Sequence, residues 1–289
     1  MKKVGDLLIE GNSILKNKKI DTYILDTQLL LGKVLNKDKL WLITNRDTEV
    51  EEYKAKEFYN LLEKREKRMP MQYILGSVEF MGIDFYIKEG VLIPRGDTEV
   101  LVEEVLERIK EDEKLNLCDL CCGSGAIGLS LATYRKNIKV DLLDIADDPE
   151  IVTTNNIKRL NLKDRAEFIK GNLFNEVKKD KKVYDVIVSN PPYIKEEIIE
   201  TLMEDVKDYE PRLALSGGED GLDFYRKIID ESKLVLKNKG ILAFEIGYDQ
   251  AEDVKKLMIE NNYYDVKIIK DLANLDRVVI GILNLFEKK

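Results

Sequence analysis

Leu115-Asn116-Leu117-Cys118-Asp119-Leu120-Cys121-Cys122-Gly123-Ser124-Gly125-Ala126-Ile127-Gly128 runs from a short apolar stretch through a glycine-rich turn into small and apolar residues. That is the order strand (116–121), loop, helix (about 126–135). Glycines in such a turn let the backbone approach a ligand closely, and the helix start presents unpaired N–H groups. Tight packing of helix on strand calls for the same glycines. A second apolar run, 139–143, leads into Asp144, nineteen residues after Gly125. An acidic side chain at that strand end accepts hydrogen bonds from ribose hydroxyls, which points to an adenosine-containing ligand of the NAD or S-adenosylmethionine type.

Working outward, further strands are expected at 166–169, 184–189, 241–246, 265–269 and 277–282, with helices at about 149–160, 222–237 and 249–261 among them. Asp147 and Asp148 read as a capping turn before Pro149. Strand and helix alternate throughout, so the fold class is α/β, a doubly wound and mainly parallel sheet. The unbroken apolar run Val186-Ile187-Val188 suits a strand covered on both faces.

That strand ends in Ser189-Asn190-Pro191-Pro192-Tyr193-Ile194, and ligands bind at such ends in open α/β sheets. Two prolines remove two N–H donors and stiffen the loop, leaving backbone carbonyls able to face a substrate. Asn190 adds a side-chain acceptor and Tyr193 a flat apolar face. The set suits a planar group bearing an NH2. A Pro-Pro pair alone also punctuates ordinary turns; the full Asn-Pro-Pro-Tyr after an apolar strand is more specific.

Upstream, residues 1–70 read as a helical bundle. Asp21 is placed to cap a helix carrying Ile24, Leu25, Leu29, Leu30, Val34 and Leu35. Thr48-Glu49-Val50-Glu51 has a capping-box pattern ahead of Phe58, Leu61 and Leu62. The basic run from Lys64 to Arg68 reads as a solvated last turn that complements the helix dipole, with a partner contact as the alternative. Residues 71–95 are expected to form a β-hairpin linker, with Ile83, Phe85 and Ile87 alternating after Gly82. Asp97 then caps a helix carrying Leu101, Val102, Val105, Leu106 and Ile109, opening a catalytic domain over 96–289.

Composition narrows the chemistry. The 289 residues contain no histidine, which excludes Ser/His/Asp and Cys/His nucleophile systems and any His-ligated zinc or iron. Cys118 and Cys121 have C-x-x-C spacing, but a metal site needs more ligands, and with Cys122 they read as small buried residues. Residues 1–80 carry net charge +2 and the remainder −10, a poor match for tracking a nucleic-acid backbone. No apolar run reaches the roughly 18 residues needed to span a bilayer, and the start lacks a sustained apolar region, so a cytoplasmic protein is expected.

Taken together, these motifs resemble the seven-stranded, Rossmann-like class I S-adenosylmethionine-dependent methyltransferases, and more narrowly the HemK/PrmC family. The likeness extends through Pro70-Met71-Gln72-Tyr73-Ile74-Leu75-Gly76, Glu79-Phe80, Ile93-Pro94-Arg95-Gly96-Asp97-Thr98-Glu99, the glycine loop and Asn190–Ile194. It continues in Glu210-Pro211-Arg212, Asp220-Gly221-Leu222-Asp223 and Phe244-Glu245-Ile246-Gly247. The resemblance implies methylation of the glutamine side-chain nitrogen in the Gly-Gly-Gln motif of bacterial peptide chain release factors. Asn190, Pro191, Pro192 and Tyr193 would be the catalytic residues. Cys121, Cys122, Gly123, Ser124, Gly125, Asp144, Asn172, Leu173 and Asn190 would hold S-adenosylmethionine, with no metal. The helical bundle would bind the release factor, and the protein would act as a monomer with no stable nucleic acid and no membrane.

Three positions depart from the family's pattern, and the stretch after Asp144 departs from its usual small-residue helix start. Cys121 stands where a glycine is frequent, so φ there is expected to stay negative; Gly96 replaces a usual proline; Asn172 replaces a common aspartate beside the adenine. The Asn-Pro-Pro-Tyr element is shared with adenine amino-methylases, which makes such an enzyme acting on DNA or RNA the main alternative. A ribosomal-protein glutamine and a non-catalytic cofactor-binding adaptor are the others.

Overall fold

A computed structural model of the protein describes residues 1–285. The chain divides into two compact units: residues 1–77 together with 204–209, and residues 78–203 together with the chain from Glu210 onward.

The first unit is helical. Helices α1 (Val4–Asn17), α2 (Tyr23–Leu35), α3 (Lys39–Thr44), α4 (Glu52–Glu66) and a single turn, α5 (Met71–Leu75), enclose Leu7, Leu15, Leu30, Leu31, Phe58 and Leu62. Gly11 permits the close crossing of α1 with its neighbours, since a Cβ there would lie 2.7 Å from Thr27 Cγ2 and 2.9 Å from Phe58 Cζ. Several helix ends differ from the sequence reading. Asp21 does not cap α2: the N-cap is Thr22, whose hydroxyl donates to Asp26 Oδ2. The Thr48–Glu51 pattern makes no capping box, because Glu49–Val50 (β2) pairs with Lys2–Lys3 (β1) instead and the Glu51 side chain at the N-cap makes no capping hydrogen bond. Arg65 lies in the basic run yet is buried, its guanidinium donating to Asp26 at 2.8 Å and to Asp205 at 3.0 Å. Asp205 comes from the 204–209 segment, so this ion cluster joins α2 and α4 to chain more than a hundred residues away; removing one buried partner of such a cluster typically costs about 3–5 kcal/mol.

The second unit begins at Val78, inside the hairpin of β3 (Ser77–Phe80) and β4 (Ile83–Tyr86). Met81 and Gly82 between them both have positive φ, the conformation a two-residue hairpin turn demands. Residues 71–75 are helical, so the hairpin is shorter than the linker expected from sequence. Helix α6 (Glu99–Arg108) follows a 3₁₀ turn at Gly96–Thr98 and has no side-chain cap, so Asp97 does not serve as one.

The alternating pattern then appears in full: β5 (Leu115–Leu120), α7 (Ala126–Tyr134), β6 (Ile138–Asp144), α8 (Asp147–Arg159), β7 (Ala166–Lys170), α9 (Asn175–Lys179), β8 (Tyr184–Ser189), α10 (Asp223–Ser232), β9 (Leu236–Glu245), α11 (Ala251–Glu260), β10 (Tyr263–Lys270) and β11 (Asp276–Leu283). One expected helix, 222–237, is too long. It stops at Ser232 because Tyr184 N donates to Val235 O and Leu236 pairs with Tyr184, recruiting the chain into β9.

The seven strands form one sheet in the order β10-β11-β9-β8-β5-β6-β7. The five from β7 to β9 are parallel, and β11 is antiparallel to both β9 and β10. Apolar side chains of successive residues go to opposite faces: Val186 and Val188 pack with Leu117, Val140 and Leu142, while Ile187 packs with Cys118, Leu143 and Phe244. After β5 the chain winds to β6 and β7, then returns to the other side of β5 as β8. The sheet therefore has its topological switch between β5 and β8, and their carboxyl ends open a crevice. Among the described residues no helix is long and apolar enough to cross a membrane.

Candidate active site

Two loops leave the switch point. The first, after β5, turns on three left-handed residues, Cys121 (φ 59°), Gly123 (φ 54°) and Gly125 (φ 76°). Cys121 thus contradicts the expectation of negative φ. A non-glycine residue there costs about 1–2 kcal/mol, and the loop's hydrogen bonds hold it in place. Cys122 N donates to Leu143 O at 3.0 Å, Gly125 N to Cys122 O at 2.7 Å, and Gly123 N to Asp144 Oδ2 at 3.0 Å. On the other side Thr153 and Asn156 of α8 donate to the carbonyls of Gly123 and Ser124.

Asp144 therefore supports the loop as well as facing the crevice. Its Oδ1 accepts from Ile145 N at 2.8 Å and Ala146 N at 3.2 Å. Burial raises its pKa, and these three backbone N–H groups work against that shift. Since a carboxylate has about four acceptor directions, some capacity remains for a ligand hydroxyl. Beneath the loop, Asp119 is fully buried and accepts from Gly128 N at 2.8 Å; burial pushes it up to about 7.

The second loop, after β8, is tied at its start by Ser189 Oγ, which donates to Leu120 O at 2.6 Å. The Asn190 side chain makes no hydrogen bond to any described residue and lines the crevice. Pro192 also lines it, and Pro191 is buried behind. Beyond the prolines, Ile194 N donates to Leu215 O and Gly217 N to Ile194 O, so a segment 215–217 backs the loop.

Between the loops lies a cavity of about 1030 Å³, counting the open solvent at its mouth. Of the residues singled out from sequence, Cys121, Cys122, Gly123, Ser124, Asp144, Asn172, Leu173, Asn190 and Pro192 line it. Gly125, Pro191 and Tyr193 do not. A Cβ on Gly125 would lie 3.1 Å from Leu129, Leu142 and Thr153 side-chain atoms, so this glycine serves strand-to-helix packing. The Tyr193 hydroxyl points away into the protein and donates to the buried Glu245. Burial pushes the thiols of Cys118, Cys121 and Cys122 up, leaving them neutral.

Other wall residues carried no local signal of their role. Arg95, which donates to the buried Glu210, and Thr98 precede α6, and Phe224 sits in the first turn of α10. Ile145 had a usable signal, being an apolar residue directly after the strand-end Asp144, and the structure leaves it 48% exposed. An exposed isoleucine beside a carboxylate and a glycine turn in the cavity wall, where a Cβ on Gly123 would meet nothing nearer than Val91 Cγ1 at 3.6 Å, fits an adenosine group: apolar contact for the base, an acceptor for the ribose, backbone for the remainder.

The PrmC N-terminal domain family matches residues 6–76, and the methyltransferase small domain family matches residues 96–209. A release factor glutamine methyltransferase of Clostridium botulinum is 51% identical over 274 residues, covering 95% of this chain and 97% of that protein. One from Clostridium acetobutylicum is 47% identical over 280 residues, covering 97% and 98%. Among solved structures, a methyltransferase from Pyrococcus furiosus superposes with a TM-score of 0.54 at 19% identity, over 71% of this chain and 91% of that one, which speaks for the fold alone. Near-complete coverage at such identity, on a sheet whose switch point carries both loops, makes this chain a member of the release factor glutamine methyltransferase family.

Proposed function

We propose that the protein methylates the side-chain nitrogen of the glutamine in a release factor's Gly-Gly-Gln motif, with S-adenosylmethionine as methyl donor. The observation that carries this reading is the Asn190 side chain, unpaired among the described residues, standing at the end of β8 in the wall of a cavity whose other side is the glycine loop. Bound there, the donor would supply a methyl activated by its sulfonium: the sulfur–methyl bond would break as the nitrogen–methyl bond forms, leaving a neutral thioether, and one amide N–H proton would be lost to solvent.

An amide nitrogen is a weak nucleophile, because its lone pair is delocalised into the carbonyl, so the protein's task is geometric. Asn190 Oδ1, in the cavity wall, accepts one of the two N–H bonds, while Pro191 and Tyr193, which stand outside that wall, fix the direction in which Asn190 points. Positioning of this kind contributes up to about 7–11 kcal/mol. Gly123, Ser124, Asp144, Ile145, Asn172 and Leu173 hold the donor. The Asn172 amide oxygen can accept from an adenine amine without a charge. The helical unit grips the release factor, using binding energy away from the reacting centre to orient the glutamine. With that partner the reaction belongs in the cytoplasm, with the protein a monomer.

Incubating the protein and methyl-labelled donor with intact release factor, and separately with DNA and with RNA, tests the reading. Label is expected on the release factor and should vanish when the motif glutamine is replaced by asparagine. Label on nucleic acid alone would sink it.

A further inference from the structure

We propose that Glu245 and Gln250, on either side of the β9–α11 turn, are positioning residues for the acceptor loop, pinning Tyr193 at its hydroxyl and at its carbonyl. Tyr193 Oη donates to Glu245 Oε1 at 3.2 Å. Gln250 Nε2 donates to Tyr193 O at 3.0 Å and to Gly221 O at 3.2 Å, while Gln250 Oε1 accepts from Gly247 N at 3.0 Å. Both side chains are buried, Glu245 to 2% and Gln250 to 4% exposure.

A buried carboxylate is costly unless its charge is answered. Burial raises the Glu245 pKa, and the neighbouring Thr98, the positive charge of Arg277 and the Tyr193 hydroxyl work against that shift; Arg277, on β11 where Val278 pairs with Glu245, is itself paired with Asp271 and Asp97. Glu245 Oε2 nonetheless has no hydrogen-bond partner among the described residues. The segment carrying Gly217 and Gly221 closes on the same residue: a Cβ on Gly217 would lie 2.6 Å from Tyr193 Cα, and one on Gly221 2.4 Å from Tyr193 O.

The mechanical consequence concerns Asn190. Ser189 is bonded to Leu120, two prolines resist rotation, and Tyr193 is held at two points. Asn190 is therefore suspended between fixed ends, which sets the direction of its amide without any contact from Glu245 or Gln250 to the substrate. A misplacement of about 1 Å far from the chemistry can cost on the order of 10²-fold in rate.

The inference rests on the acceptor reading above. Tyr193→Phe removes the hydroxyl and keeps the ring; Glu245→Leu removes its acceptor; Glu245→Gln keeps an amide oxygen there. With intact release factor, Tyr193→Phe and Glu245→Leu should each lower kcat by about 10- to 100-fold, with KM and donor Kd changed less than about threefold. The double variant should be no slower than the worse single one, since both remove one interaction. Glu245→Gln should recover most of the loss seen in Glu245→Leu. Tyr193→Phe within twofold of the wild type in kcat, or losses that multiply in the double variant, would overturn the proposal. Thermal melts accompany each variant; should Glu245→Leu be unfolded at the assay temperature, Tyr193→Phe and Gln250→Leu decide by the same kcat criterion. An inactive wild-type protein would instead count against the acceptor reading itself.

Discussion

The loops after β5 and β8 leave neighbouring strands at the same level of the sheet, where Leu120 pairs with Ser189, yet they are built in opposite ways. The glycine loop gets its shape from left-handed residues within itself and from hydrogen bonds to the next strand and helix, Leu143, Asp144, Thr153 and Asn156. The Asn-Pro-Pro-Tyr loop contains no positive φ. Proline stiffness shapes it, and partners 52 and 57 residues downstream hold it. The difference suits their tasks. A donor can be cradled by backbone, which nearly any sequence supplies once the turn is made, whereas a nitrogen lone pair must be aimed by a particular side chain.

The comparison is tested hardest at Asn190. Asn190→Ala should lower kcat on the order of 10²–10³-fold, as loss of a positioned transition-state contact does, with donor Kd changed less than about tenfold. Single-turnover methylation beside donor titration gives both numbers; near-normal turnover would reduce Asn190 to a turn residue. At the opposing wall, Asp144→Ala should weaken donor binding by roughly 10- to 150-fold, the equivalent of about 1.5–3 kcal/mol for bonds to a charged group. Because Asp144 also holds Gly123, Ile145 and Ala146, a loss of thermal stability should accompany it without donor present. Calorimetry with unchanged Kd would place the ribose elsewhere.

A pH test asks whether the glycine loop's support titrates. Asp119 has a folded pKa of about 7 against an ordinary 3.8, so between these values the folded state binds more protons than the unfolded. Its stabilising contribution is complete below about pH 4 and is lost as pH rises through 7. Relative to Asp119→Asn, the wild type should therefore lose about 2 kcal/mol between pH 5.5 and 8, read from urea midpoints at both values. A constant difference would mean that Asp119 does not titrate there. The smallest effect is expected at Cys121. Cys121→Gly removes the left-handed penalty of about 1–2 kcal/mol but adds freedom to the unfolded chain worth about 0.5–1 kcal/mol, leaving a gain of up to about 1 kcal/mol in denaturation. A loss would show that the thiol's packing outweighs its strain.

The glycine loop was the more legible of the two in sequence. Gly123, Ser124 and Asp144 are recognisable because their function depends on neighbours within one strand-loop-helix-strand unit, and each lines the cavity. Asn190 was visible for the same local reason. Thr98, Phe224, Glu245 and Gln250 were not, since their meaning lies in a side chain brought to them by the winding of the sheet. Tyr193 shows the boundary within a single residue: its presence after two prolines was readable, but the burial of its hydroxyl against Glu245 was not.

What the sequence determined by itself was the kind and order of elements, the α/β winding, and the placing of ligand chemistry at strand ends, because periodicity and turn chemistry act over a few residues. Only the tertiary structure decided that β11 inserts between β9 and β10, that Arg65 is buried between two aspartates and that Gly125 packs rather than binds. It also decided that Cys121 adopts a glycine's conformation. Burial and partner choice are set by residues distant in the chain, and a local conformational cost of one or two kcal/mol is overridden when several such contacts agree.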